Sequence, residues 1–159
     1  MASRLQKRLR DESGTSLIEA ALITPLFLLL TFAIADFGAV FYAYLALENG
    51  VSVATRYAVT GQRMDDPAMP GTQLSREGSI KAAMRQATPT LTINDSQFTF
   101  SHRAPGGGAW VGGAGGPGEL ERVTVNYTWT FMTPIVGAFF TNGQLPLRVD
   151  SAMKNEGYE

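Results

Sequence analysis

The chain has 159 residues, a formal net charge of −1, a single histidine and no cysteine. That length fits one small domain plus an extra element, and a charge so near zero gives no footing for nucleic acid or an acidic substrate. The lack of cysteine excludes disulfides and thiolate metal sites, and a lone histidine, His102, leaves zinc or triad chemistry hard to assemble.

The chain opens on a basic leader, MASRLQKRLRDESG, with Arg4, Lys7, Arg8 and Arg10 close together. Behind it, no residue from Ala20 to Ala35 is charged, and apolar residues resume from Phe37 to Leu47. A hydrocarbon core needs about 20 mostly apolar helical residues, so the stretch from about Leu17 to Tyr42 predicts a membrane-spanning helix. Basic residues flanking a span stay on the cytoplasmic side, which places the N-terminus inside and everything after about Tyr42 in the other compartment. Pro25 removes one helix hydrogen bond and predicts a kink or a loosened turn.

Two ordinary readings of this segment compete. Ala33–Ala35 offers an A-x-A signal-cleavage site ahead of Asp36, which would release a periplasmic binding or adhesion protein. Against it, Asp11, Glu12 and Glu19 lie ahead of the site, and the apolar run continues past it as FGAVFYAYLAL. The other reading is a plain single-span anchor. It accounts for Glu19 only through the attraction between a carboxylate and a helix N-terminus.

A third reading gives Glu19 a role. Gly14 closes the basic leader and Glu19 is the fifth residue beyond it, at the head of the apolar helix. This is similar to the processing site of type IV prepilins and pseudopilins, in which a membrane aspartyl peptidase cuts directly after the glycine. The resemblance implies a cut between Gly14 and Thr15 that leaves a new α-amino group on Thr15. The Glu19 carboxylate of one subunit would pair with the Thr15 amine of a neighbour. Such a pair is strong in low dielectric, and an unpaired carboxylate there is costly, so Glu19 would set the axial register of packed helices.

The resemblance narrows over a longer stretch. Glu19, Ala21, Leu22, Pro25 and Leu26 are followed by Asp36, Phe37 and Gly38, then Tyr42 and Tyr44, then Ala54, Arg56 and Tyr57 to Gly61. This pattern resembles the TadE-like family of pseudopilins from tight-adherence (Flp-type) pilus systems. One departure is Ala20, where the family usually carries Phe or Tyr. The resemblance implies a minor pseudopilin of the inner membrane, single-pass with its head outside the cytoplasm. Its implied role is biogenesis of a type IV-like adhesion pilus and its secretion apparatus. Its implied partners are a prepilin peptidase, other pilin-like subunits and the pilus assembly platform, with no cofactor, metal or nucleic acid.

Asp36 lies about 28 Å beyond Leu17 at about 1.5 Å per residue, near the far interface. It reads either as an interfacial acid in contact with water or as a subunit-pairing acid, since Gly38, Ala39, Ala43 and Ala46 allow close helix approach. The helix should continue past the lipid to Gly61. Glu48, Asn49, Ser52 and Arg56 form a polar stripe, with Val53, Ala54, Tyr57 and Ala58 largely opposite.

Gly61 to Gly71 reads as a loop whose adjacent aspartates are a solvated turn. LSREGSIKAAMRQATP reads as a second helix begun at Ser75, with Ile80, Ala83, Met84 and Ala87 on one buried face. The period then changes to two. Leu91–Ile93 and Gln97–His102 are candidate strands, Val123 to Phe131 is the clearest one, and Leu145 onward supplies another. The fold class is therefore α+β: a long transmembrane and stalk helix, then a small antiparallel sheet head with a covering helix. In residue bounds this is a leader over 1–14, a helix over 15–61, and a head over 62–159.

Within the head, the glycine-rich stretch over 105–118 lacks the Gly-Lys-Ser/Thr ending of a phosphate loop and reads as a mobile hairpin connection. Trp110 and Val111 at its middle either dock on a neighbour or fold back. Pro134 to Phe140 is either a buried cross-connection or an apolar lip at the membrane surface. His102 with Ser101 or Ser151 and Asp150 lacks a nucleophile elbow and sits in phase with Phe98 and Phe100, which fits a strand histidine. Glu119 and Glu121 flank a strand start with no apolar pocket to raise a pKa. The expectation is a chain that is not an enzyme.

Overall fold

The computed structural model describes residues 12–157; the basic leader expected over 1–14 lies mostly outside them. Helix α1 runs from Glu12 to Val59, 48 residues, and continues through Pro25. Its most apolar stretch is wholly unburied. From Asp36 the character changes: Asp36, Val40, Ala43, Leu47, Val51, Ala54 and Ala58 are all buried, at steps of three and four residues that line one face. The polar face expected opposite is there, but Val53 lies on it, 39% exposed, and Thr55 takes the core side. Thr55 is tolerated because its hydroxyl donates to the Val51 carbonyl at 2.7 Å, which satisfies the buried group.

Helix α2 spans Arg76–Ala87 behind an N-cap at Ser75, whose Oγ accepts from the Gly78 N–H at 3.0 Å. It packs on α1 where Gly50 meets Met84 and Thr88. Four strands follow: β1 (Phe98–Arg103), β2 (Val111–Gly112), β3 (Leu120–Thr130) and β4 (Gln144–Lys154). They form one antiparallel sheet in the order β2-β1-β3-β4. A short helix, α3 (Pro134–Gly137), lies in the β3–β4 connection. The α+β class, the long first helix and the covering second helix are as the sequence pattern predicts.

The core sits between α1, α2 and one sheet face. Leu47, Val51 and Ala54 pack with Ile80 and Met84 and with Phe98, Phe100, Val123, Val125 and Val149. The helix that is long and apolar enough to cross a membrane is thus also the central column of the head.

Two expectations need correction. Leu91–Ile93 is not a strand. The Leu91 N–H closes a turn on the Thr88 carbonyl at 3.1 Å, the Ile93 carbonyl accepts from Arg85 Nε at 2.9 Å, and Asn94 N–H donates to Gln97 Oε1 at 2.7 Å. Local partners use the groups a ladder would need. The glycine-rich stretch, in turn, is more than a connection. Val111 and Gly112 pair with His102 and Ser101 as an edge strand. Trp110 folds back, its ring within 4.8 Å of the Arg103 guanidinium and 3.7 Å of that of Arg122, while Val111 stays exposed.

A candidate assembly site along the long helix

Gly14, Thr15 and Glu19 all lie on the exposed surface of α1. A Cβ added at Gly14 would meet nothing, so no packing contact requires a glycine there. Glu19 makes no ion pair among the described residues. Around it Leu17, Ile18, Leu22, Ile23 and Leu26 are each more than 60% exposed. A carboxylate on so apolar a surface needs either water or a counter-charge.

Pro25 stands in the middle of this exposed stretch. Having no N–H, it leaves the helix one hydrogen bond short. Gly38 is also on the exposed side, with open space where a Cβ would be, so the surface there is free for close approach. Ala43, expected beside it for the same purpose, is fully buried in the head.

Asp36 departs from the water-exposed reading. It is 1% exposed, and its Oδ2 accepts the Thr133 backbone N–H at 3.1 Å and the Thr133 hydroxyl as well. Around this clasp, Phe37 meets the rings of Phe131 at 5.9 Å and Phe140 at 6.2 Å, and those two stack at 4.3 Å. Pro134 to Phe140 is partly buried and partly an exposed apolar edge. Val136 is buried at 3%, whereas Ile135 is 54% and Phe139 75% exposed. A cleft of about 380 Å³ separates this lip from the helix, with Leu26, Leu30 and Phe37 on one wall and Val136, Phe139 and Phe140 on the other.

The far end of the head holds a second fastening that the sequence did not reveal. Glu121 is fully buried, with Oε2 2.6 Å from Arg76 Nη2. Arg76 also donates to the Ala58 carbonyl at 3.0 Å and to the Gly115 carbonyl, and Asn155 Nδ2 reaches the Gly115 and Gly116 carbonyls at 3.2 and 2.9 Å. The end of α1, the start of α2, the glycine-rich stretch and the C-terminal segment are thereby tied together. Burial pushes the Glu121 carboxyl above its ordinary range, against the pull of Arg76. The expectation that Glu121 lacks such surroundings is wrong: it falls in phase with Val123 and Val125 on the inner face of β3. His102 Nδ1 lies 3.0 Å from the Gly113 carbonyl, and Asp150 is 3.9 Å from Arg122 Nε.

A helix long and apolar enough to cross a membrane continues here as the column of an α+β head. A family model described as TadE-like protein matches residues 14–56. The match begins at Gly14 and covers the exposed apolar stretch, Glu19, Pro25, Asp36 and most of the buried stripe, so a TadE-like segment is present there. No curated protein and no solved structure matches the chain.

Proposed function

We propose that the chain is a TadE-like minor pseudopilin, non-catalytic, cut after Gly14 by a prepilin peptidase and assembled through α1 in building a tight-adherence pilus and its secretion apparatus. The N-terminus lies on the cytoplasmic side of the inner membrane and the head on the other. The observation that carries this reading is the TadE-like match starting at Gly14 on a helix whose apolar surface is uncovered and bears Glu19, which has no ion-pair partner among the described residues. After the cut, the Thr15 amine of an adjoining subunit supplies the missing counter-charge, and the pair fixes how far one helix is displaced along the next.

Mass spectrometry of the mature protein extracted from membranes tests it. A chain beginning at Thr15 supports the proposal. A chain beginning at Asp36 would make the head a released periplasmic protein, and an intact leader would make α1 a plain anchor. Glu19→Ala should leave insertion unchanged and abolish co-purification with partner subunits; assembly equal to that of the parent would remove the register role.

A further inference from the structure

We infer that the β3–β4 connection is a second membrane contact: the lip formed by Met132, Ile135 and Phe139 inserts into the acyl region of the same bilayer leaflet from which α1 emerges. This rests on α1 being a membrane span.

Depth carries the argument first. Some 20 helical residues cross the hydrocarbon, so a span begun near Leu17 ends near Asp36. The lip does not stop at that level. Its Phe139 shares a cleft with Leu30 and Leu26 of α1, which sit about 9 and 15 Å inside the boundary at about 1.5 Å per residue. Phe139 is 75% exposed beside this apolar face of the span, and Met132 and Ile135 of the same connection are 69% and 54% exposed.

Composition agrees. From Val123 to Leu147 the chain has no Asp, Glu, Lys, Arg or His, although charged residues occur on both sides, at Arg122 and Arg148. Non-helical backbone survives at membrane depth only where its polar groups find partners within the protein. Here the N–H groups of Gly137, Ala138, Phe139, Phe140 and Gly143 all donate to carbonyls inside the connection, and that of Phe131 donates to the Gly143 carbonyl. Pro134 has no N–H to satisfy. The polar Thr133 is turned onto Asp36, so each masks the other at the level where hydrocarbon begins.

The test uses the full chain in phosphatidylcholine/phosphatidylglycerol vesicles. Since the sequence has no cysteine, single cysteines at Phe139, Ile135, Leu22 and Gly107 can each carry an environment-sensitive fluorophore. Quenching is then measured with doxyl-labelled lipid and with aqueous iodide. Labels at 139 and 135 should be quenched by doxyl lipid to within about twofold of the label at 22 and shielded from iodide, with the reverse at 107. Iodide access at 139 and 135 beside a lipid-quenched label at 22 overturns the lip while leaving the span intact. Shielding of 139 from both quenchers, with disulfide cross-linking of unlabelled Phe139→Cys chains, would mean that a second copy covers the lip and also overturns it. A label at 22 untouched by doxyl lipid removes the span and the lip with it.

Discussion

The Asp36 carboxylate accepts both the backbone N–H and the hydroxyl of Thr133, a residue 97 positions further along the chain. This one acceptor joins the helix to the far end of the sheet where the exposed apolar stretch gives way to the head. Asp36→Ala leaves the Thr133 N–H without its partner and should cost about 1–3 kcal/mol. Thr133→Val keeps the N–H bond and should cost about 1 kcal/mol. Thermal unfolding of the full chain in detergent checks the order; equal losses would mean that the N–H bond contributes nothing.

Gly50 sets how closely α1 and α2 approach. A Cβ there would lie 2.4 Å from Thr88 Cγ2, so Gly50→Ala gains about 1 kcal/mol of helix propensity but meets a clash costing about 1–3 kcal/mol. Net destabilisation is expected. Thr88→Ser removes the offending methyl while preserving the hydroxyl that donates to the Met84 carbonyl at 2.9 Å. The double variant should therefore recover most of the loss, read as a coupling energy in a double-mutant cycle.

Arg76 and Glu121 form a nearly dry pair, their side chains 15% and 0% exposed. Arg76→Met strands a buried carboxylate and also removes donors to Gly115 and Ala58; a loss of about 3–5 kcal/mol is expected. Glu121→Gln keeps an acceptor for Arg76 and should cost clearly less. Chemical denaturation midpoints of the two variants decide it, and a Gln variant as damaged as the Met variant would contradict this account.

The same pair gives a pH signature. Because burial raises the folded-state Glu121 carboxyl above its ordinary value of 4.5, the folded protein holds a proton that the unfolded chain has already lost. Stability therefore declines as pH rises from about the unfolded value through the folded one. Asp95 acts oppositely: the hydrogen bond from Arg85 lowers its carboxyl below 3.8, a small stabilisation present above that value and lost as pH falls through the folded one. Glu121→Gln should flatten the decline above pH 4.5 and leave the acid-side loss in place, as melting temperatures across pH would show.

What the sequence disclosed were the features with a repeating period. The apolar run of α1, the buried face of α2 at Ile80, Ala83 and Met84 (with Ala87 only half-buried), and the alternation from Val123 to Phe131 each follow from the geometry of one element, and the structure has them. Contacts set by distant partners were not legible. Nothing near Thr133 announces Asp36, and Gly50 reads as an ordinary weak helix residue until Thr88 is placed against it. Glu121 did carry a signal, its phase with Val123 and Val125, but an acid at the head of a strand more often faces water. Of the candidate site, the position of Gly14, Glu19 and Pro25 on an uncovered helix could be read, because it follows from the length of the apolar run. The fastening of Asp36 could not.

The long helix passes from the exposed apolar stretch into the core without a break, and Leu47, Val51 and Ala54 belong to it as much as Leu22 and Leu26 do. No swivel separates the exposed apolar end from the sheet. A pull or twist applied to the lower half is passed on to the upper, and the helix hydrogen bond that Pro25 cannot make is missing just at the foot of the cleft, beside Leu26. The cap is thus carried like the head of a nail, its heading decided by the shaft.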